Sequence, residues 1–175
     1  PTFARTLEIG SQWMETDSWV SSDGVLILHH DPDLCRTTNI EDFGFDCVIP
    51  QNNPLGRFPF PRDFTLAELK QLDAGSWFDP AFAGEQIPTA AEALQLVDGS
   101  GFPLLMEIKS AGQGAKFAEI LLQTGVSADS LVVWDRQKFA STDFRTNLPD
   151  ARRIVGGFSA SELTDELLAD LASHG

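Results

Sequence analysis

The chain has 175 residues, 42% of them hydrophobic, enough for one domain with a buried core, and no composition shift marks a second. Its 26 acidic and 12 basic residues leave a formal net charge of −14, a field that repels nucleic acid and anionic membrane surfaces alike. An anionic ligand therefore needs a local cation, and no apolar run reaches the roughly 18 residues of a membrane span.

In chain order, Phe3 and Leu7 share one face of a short helix over residues 2–9, and Gly10 ends it. Trp13–Val20 reads as a strand, Asp23-Gly24 as a turn, and Val25–Leu28 as a buried strand that stops at His29-His30-Asp31. Residues 39–63 hold Pro50, Pro54, Pro59 and Pro61 with no sustained period, which predicts an irregular insertion. Thr65 caps a helix carrying Leu66, Leu69 and Leu72, with Glu68 completing a capping box. Pro88-Thr89 opens a helix with Ala93, Leu94 and Leu96.

Beyond Gly101 the pattern predicts a strand at Pro103–Ile108, a helix at 114–123 and a strand at Leu131–Trp134. A helix at Gln137–Asn147, a strand at Arg152–Val155 and a helix at Ser161–Leu171 follow. This alternation predicts parallel βαβ units, and five strands in all, within one domain over 1–175. Cys35 and Cys47 stand twelve positions apart without a zinc-type spacing, which leaves a disulfide open.

Glu15 and Asp17 are two apart on a strand, so their side chains share a face, where paired carboxylates suit a hard cation such as Mg²⁺ or Ca²⁺. The same spacing on an exposed strand also describes two solvated acids. Glu107 and Lys109 repeat it after the aliphatic run Leu104-Leu105-Met106, at the strand end where a parallel barrel gathers its functional residues. His30 follows the apolar run Val25–Leu28 and could act as a general acid or base. His29 alternates to the other side and takes no chemistry, and His174 lies near the chain end.

These motifs come in a recognisable order: Met14-Glu15-Thr16-Asp17, Asp23-Gly24, His30-Asp31-Pro32 with Arg36-Thr37-Thr38, Leu66 to Ser76, Ile87-Pro88-Thr89 and Glu107-Ile108-Lys109. Together they resemble the glycerophosphodiester phosphodiesterase family, closely over residues 1 to about 110. The resemblance implies a (β/α)₈ TIM barrel, an α/β fold, of which strands 2 to 6 would be present and strands 1, 7 and 8 missing. It implies that Glu15, Asp17 and Glu107 bind a divalent metal, Mg²⁺ or Ca²⁺, that His30 is one of two catalytic histidines, and that Lys109 contacts the substrate phosphate. The implied reaction is metal-dependent hydrolysis of a small glycerophosphodiester to glycerol 3-phosphate and an alcohol, attacked by a substrate hydroxyl or by water.

Two departures stand against the family pattern. The strand ending in His-Arg-Gly and the following Glu-Asn-Thr segment are not in these residues, and Trp134-Asp135 replaces a Ser-Phe pair. Trp134 is accordingly a candidate for the substrate pocket or for the core. An incomplete barrel leaves open strand edges, so a piece of a longer protein is expected. Two other functions fit the same residues: a non-catalytic phosphate-binding or scaffold barrel, and a phospholipase D-like relative acting on lysolipids. An extracytoplasmic location is favoured over the cytoplasm, because some relatives scavenge head-group diesters there and the two cysteines could pair. The metal-site expectation is geometric: the three carboxylates converge with Lys109 on the rim that holds His30, and without metal their repulsion raises the pKa of at least one.

Overall fold

The computed structural model describes residues 2–11, 13–47, 59–135, 144, 146–149 and 152–155. Among these, four α-helices and five strands recur in chain order. They are α1 (Thr2–Glu8), β1 (Met14–Val20), β2 (Leu26–Leu28), α2 (Leu66–Leu69), α3 (Ala90–Val97), β3 (Leu104–Ile108), α4 (Gly114–Thr124), β4 (Leu131–Asp135) and β5 (Arg152–Val155). Of the helix expected at 137–147, only Phe144, Thr146 and Asn147 are described, and all three are helical. The helix expected at 161–171, most of the segment around Pro50 and Pro54, and His174 lie outside the described residues.

The strands form one sheet in the order β2-β1-β3-β4-β5. β1, β3, β4 and β5 run parallel, whereas β2 pairs antiparallel with β1, Ser18 opposite Leu28 and Val20 opposite Leu26. Among the described residues the expected five barrel strands are therefore four. Residues 21–25 between β1 and β2 are too few for the crossover that a parallel neighbour requires, and they close a hairpin instead. Gly24, at φ +86°, takes the left-handed turn position that a side chain would resist. Met14–Ser18 pair with β3 and Ser18–Val20 pair with β2, so the hairpin hangs from the C-terminal end of the parallel part of β1.

Strand alternation separates the two faces of this wall. Met14, Leu104, Met106, Ile108, Leu131 and Val133 are buried against Ala90, Ala93, Leu94 and Val97 of α3 and Phe117 and Leu121 of α4. Burying each large aliphatic side chain contributes roughly 2 kcal/mol, so this layer fixes the sheet against its helices. Two local devices set the helix ends. Thr89 caps α3 in a reciprocal box with Glu92, and Gly125 ends α4 in the left-handed conformation. The opposite face carries Glu15, Asp17, Glu107 and Trp134.

A second core gathers side chains from β2 through the segment before α3. Ile27, Leu34, Ile40, Leu69, Leu72 and Ile87 are buried together, with Phe45, Phe64 and both cysteines packed against them. Cys35 and Cys47 form a disulfide, their Cα atoms 5.6 Å apart, which answers the question the sequence left open. Gly75 lies so close to the following turn that a Cβ there would sit 2.0 Å from the Phe82 carbonyl oxygen.

Candidate metal and phosphodiester site

The register of β1 and β3 builds the site. Asp17 is the cross-strand partner of Glu107, and Glu15 stands one residue pair below on the same face of β1. Glu15, Asp17 and Glu107 each offer an oxygen within 4.8 Å of the others. Asp17 and Glu107 are buried, while Glu15 is exposed. The convergence expected from the sequence, with Glu107 at the same end of the sheet as Glu15, is what the structure shows.

Lys109 closes the cluster from the end of β3. Its Nζ lies 2.8 Å from Asp17 Oδ1 and 2.9 Å from Glu107 Oε1, donating a hydrogen bond to the latter. The contact with Asp17 is ionic, because the buried Oδ1 has no hydrogen bond of acceptable geometry. Burial pulls the Lys109 pKa down, but the two carboxylates outweigh it and the result is raised. Glu15 is also raised, by burial first and then by the charges of Asp17 and Glu107, against the pull of Lys109 and His30. The expected sign of repulsion among the acids is thus present at Glu15.

His30 reaches the site by a route the sequence did not show. It is not at the C-terminal end of a barrel strand. Because β2 runs back along β1, the chain after Leu28 descends beside Asp17, and the His29 amide donates to the Asp17 carbonyl at 3.1 Å. His30 is the next residue in the chain, one position from that contact with Asp17. Its Nδ1 lies 2.7 Å from Asp31 Oδ1. His29 is a different kind of residue: it is buried, its Nε2 donates to the Asp33 carbonyl at 2.8 Å, and burial lowers its pKa.

Trp134 is half-buried on β4 and is the cross-strand partner of Glu107, so Asp17, Glu107 and Trp134 occupy one row of the wall. Sequence reasoning missed the side chains behind this row. Ser18 Oγ donates to Gln113 Oε1 at 2.5 Å, and Gln113 Nε2 donates back to the Ser18 carbonyl at 3.1 Å, both residues being fully buried. This lock joins the end of β1 to the start of α4. No motif marks Gln113; only its place before the helix gave a signal.

Among curated proteins, a glycerophosphodiester phosphodiesterase of Caldanaerobacter subterraneus is 39% identical over 108 residues, covering 62% of this chain and 37% of the relative. The family model described as the Glycerophosphoryl diester phosphodiesterase family matches residues 1–155. The chain belongs to that family. A glycerophosphodiester phosphodiesterase of Agrobacterium tumefaciens superposes with a TM-score of 0.68 at 25% identity, over 86% of this chain and 56% of that one. A phosphodiesterase of Oleispira antarctica, solved in complex with the product sn-glycerol-3-phosphate, gives 0.70 at 25% identity, over 99% and 74%.

The fold is therefore the family's TIM barrel, present here as a partial wall with four parallel strands among the described residues. The chain spans less than half the length of the first curated relatives it matches, 37% and 48%. Among the described residues no helix is long and apolar enough to cross a membrane.

The donor set fits a divalent ion. It consists of three carboxylates, two of them buried, whose oxygens come within 4.8 Å of one another. Such hard oxygen ligands suit Mg²⁺ or Ca²⁺ rather than a soft metal.

Proposed function

We propose that the protein carrying this chain hydrolyses glycerophosphodiesters to glycerol 3-phosphate and an alcohol, with a divalent cation held by Glu15, Asp17 and Glu107. The observation that carries this reading is the convergence of these three acids with Lys109, with His30 next in the chain to the His29 amide that bonds Asp17. Membership of the family and the likeness to a relative solved with sn-glycerol-3-phosphate support it.

A bound Mg²⁺ or Ca²⁺ supplies positive charge for a phosphoryl oxygen in a protein whose net charge is −14. Lys109 supplies a second cation at the same edge, donating to phosphoryl oxygens as their charge develops. His30 moves a proton at its Nε2, as base toward the attacking hydroxyl or as acid toward the leaving alkoxide. His29 cannot share this role, since it is buried and engaged with Asp33. The half-buried Trp134, in the same row, walls the substrate's organic group. In this reading residues 1–175 form one partial barrel domain with an insertion around 39–63.

The test is release of sn-glycerol 3-phosphate from glycerophosphocholine and glycerophosphoethanolamine, with and without chelator. Turnover should require Mg²⁺ or Ca²⁺; turnover that a chelator leaves unchanged would refute the metal role, and none at saturating metal would refute the activity. A lysolipid reading draws on the exposed Trp77 and Phe78, which stack edge to face, Trp77 also lying against Arg36. Preference for lysophosphatidylcholine over glycerophosphocholine would select it. The disulfide favours an oxidising, extracytoplasmic location, and two free thiols in the denatured protein purified from its natural compartment would oppose that.

A further inference from the structure

The side chain of His30 is 70% exposed, so packing does not hold its ring in place. What does hold it is the carboxylate of Asp31, 2.7 Å from Nδ1. Asp31 is in turn gripped by Arg36, whose Nε donates to Oδ2 at 2.6 Å and whose Nη2 donates to Oδ1 at 2.9 Å. A guanidinium fork on both oxygens fixes the plane of the carboxylate as a single contact would not.

The charge state of this group settles the tautomer of its neighbour. Arg36, outweighing burial and aided by His30, holds the Asp31 pKa down at about 2. At neutral pH Asp31 is an anion that can only accept hydrogen bonds. The proton between the two side chains must then sit on His30 Nδ1, and in the neutral ring the lone pair is left on Nε2.

Arg36 is itself backed. Its Cζ stands 5.5 Å from the centroid of the Trp77 ring. The Trp77 indole N–H donates to the Ala74 carbonyl at 2.9 Å, so the ring is tethered and offers Arg36 its face. Ordered contacts therefore run from Trp77 through Arg36 and Asp31 to His30.

We infer that Asp31 and Arg36 are positioning residues for His30: the fork-held carboxylate keeps the imidazole in its Nδ1–H tautomer and leaves Nε2 free for proton transfer. This deepens the proposed function and rests on His30 being its acid–base group. Neither residue need touch substrate to act in this way.

The experiment combines kinetics with ¹⁵N NMR of histidine-labelled protein. Asp31→Asn should lower kcat on glycerophosphocholine about 100-fold or more, with KM within about threefold, since orientation and tautomer are lost while substrate contacts remain. Arg36→Lys keeps the charge but not the fork and should lower kcat roughly tenfold. Its side chain is 59% exposed, so the substitution opens no buried cavity. The spectrum should show the Nδ1–H tautomer for neutral His30 in the wild type and its loss in Asp31→Asn. A wild-type His30 protonated on Nε2, or an Asp31→Asn protein with unchanged tautomer and kcat, overturns the inference. A wild type without phosphodiesterase turnover sinks the proposed function instead, and the spectrum still decides whether Asp31 sets the tautomer.

Discussion

Lys109 Nζ lies 2.8 Å from Asp17 Oδ1, an ion pair that spans two neighbouring strands and places a cation among three carboxylates. Without a metal, this lysine is a counter-charge within the cluster. Replacing it with the apolar Lys109→Met should destabilise the chelated protein by about 2 kcal/mol, below the usual cost of breaking a fully buried pair because Lys109 is partly exposed. Saturating Ca²⁺ should recover much of that loss in urea unfolding. The variant's kcat should still fall on the order of 100-fold, since a metal among the acids does not replace a donor to the phosphate.

Metal binding can be read without turnover. Asp17→Asn and Glu107→Gln each remove one anionic ligand and should weaken Ca²⁺ or Mg²⁺ binding at least about tenfold in isothermal titration calorimetry. Wild-type affinity in both variants would place the ion elsewhere.

The pH dependence of stability has a sign that Asp31 fixes. Its pKa is lowered from 3.8 to about 2, chiefly by Arg36, with burial opposing and His30 assisting. A group whose folded pKa is depressed stabilises the protein above its unfolded pKa and loses that contribution as pH falls through the folded one. Wild type should therefore exceed Asp31→Asn by about 1 kcal/mol near neutrality, the exposed Arg36 being screened by solvent. Urea unfolding at stepped pH should show the gap closing between about pH 4 and pH 2. A gap that stays constant over that interval would assign the effect to something other than ionisation.

The disulfide should matter locally. Cys35 and Cys47 enclose a segment with a sequence separation of 12 and tie it to the core of Ile27, Leu34 and Ile40. The double variant Cys35→Ser, Cys47→Ser should lose about 3 kcal/mol. Limited proteolysis should then cut between the two positions sooner than elsewhere, and protection equal to wild type would deny the bridge that role.

Gly75→Ala tests a close approach rather than a turn. The added methyl would meet the Phe82 carbonyl at 2.0 Å, so the turn over Asp79–Ala83 has to shift. A loss of about 2 kcal/mol in denaturant unfolding is expected, whereas a neutral substitution would mean the two segments part freely.

Whatever depends on neighbours along the chain is legible in the amino-acid sequence. The two-residue spacing puts Glu15 and Asp17 on one face, Thr65 with Glu68 caps a helix, and the ordered motifs from Met14 to Lys109 mark the family. How distant segments meet is set by the three-dimensional packing. Register pairs Asp17 with Glu107 across ninety positions, and the short turn at 21–25 folds Leu26–Leu28 back antiparallel and brings the His29 amide, next to His30, onto the Asp17 carbonyl. Likewise the Cys35–Cys47 bridge, the Ser18–Gln113 lock and the run from Trp77 to His30 have no periodic signal. Local spacing fixes which way side chains point along one element, whereas partners between elements are set by strand register and by the packing of Met106, Leu94 and Phe117, which one stretch of sequence does not encode.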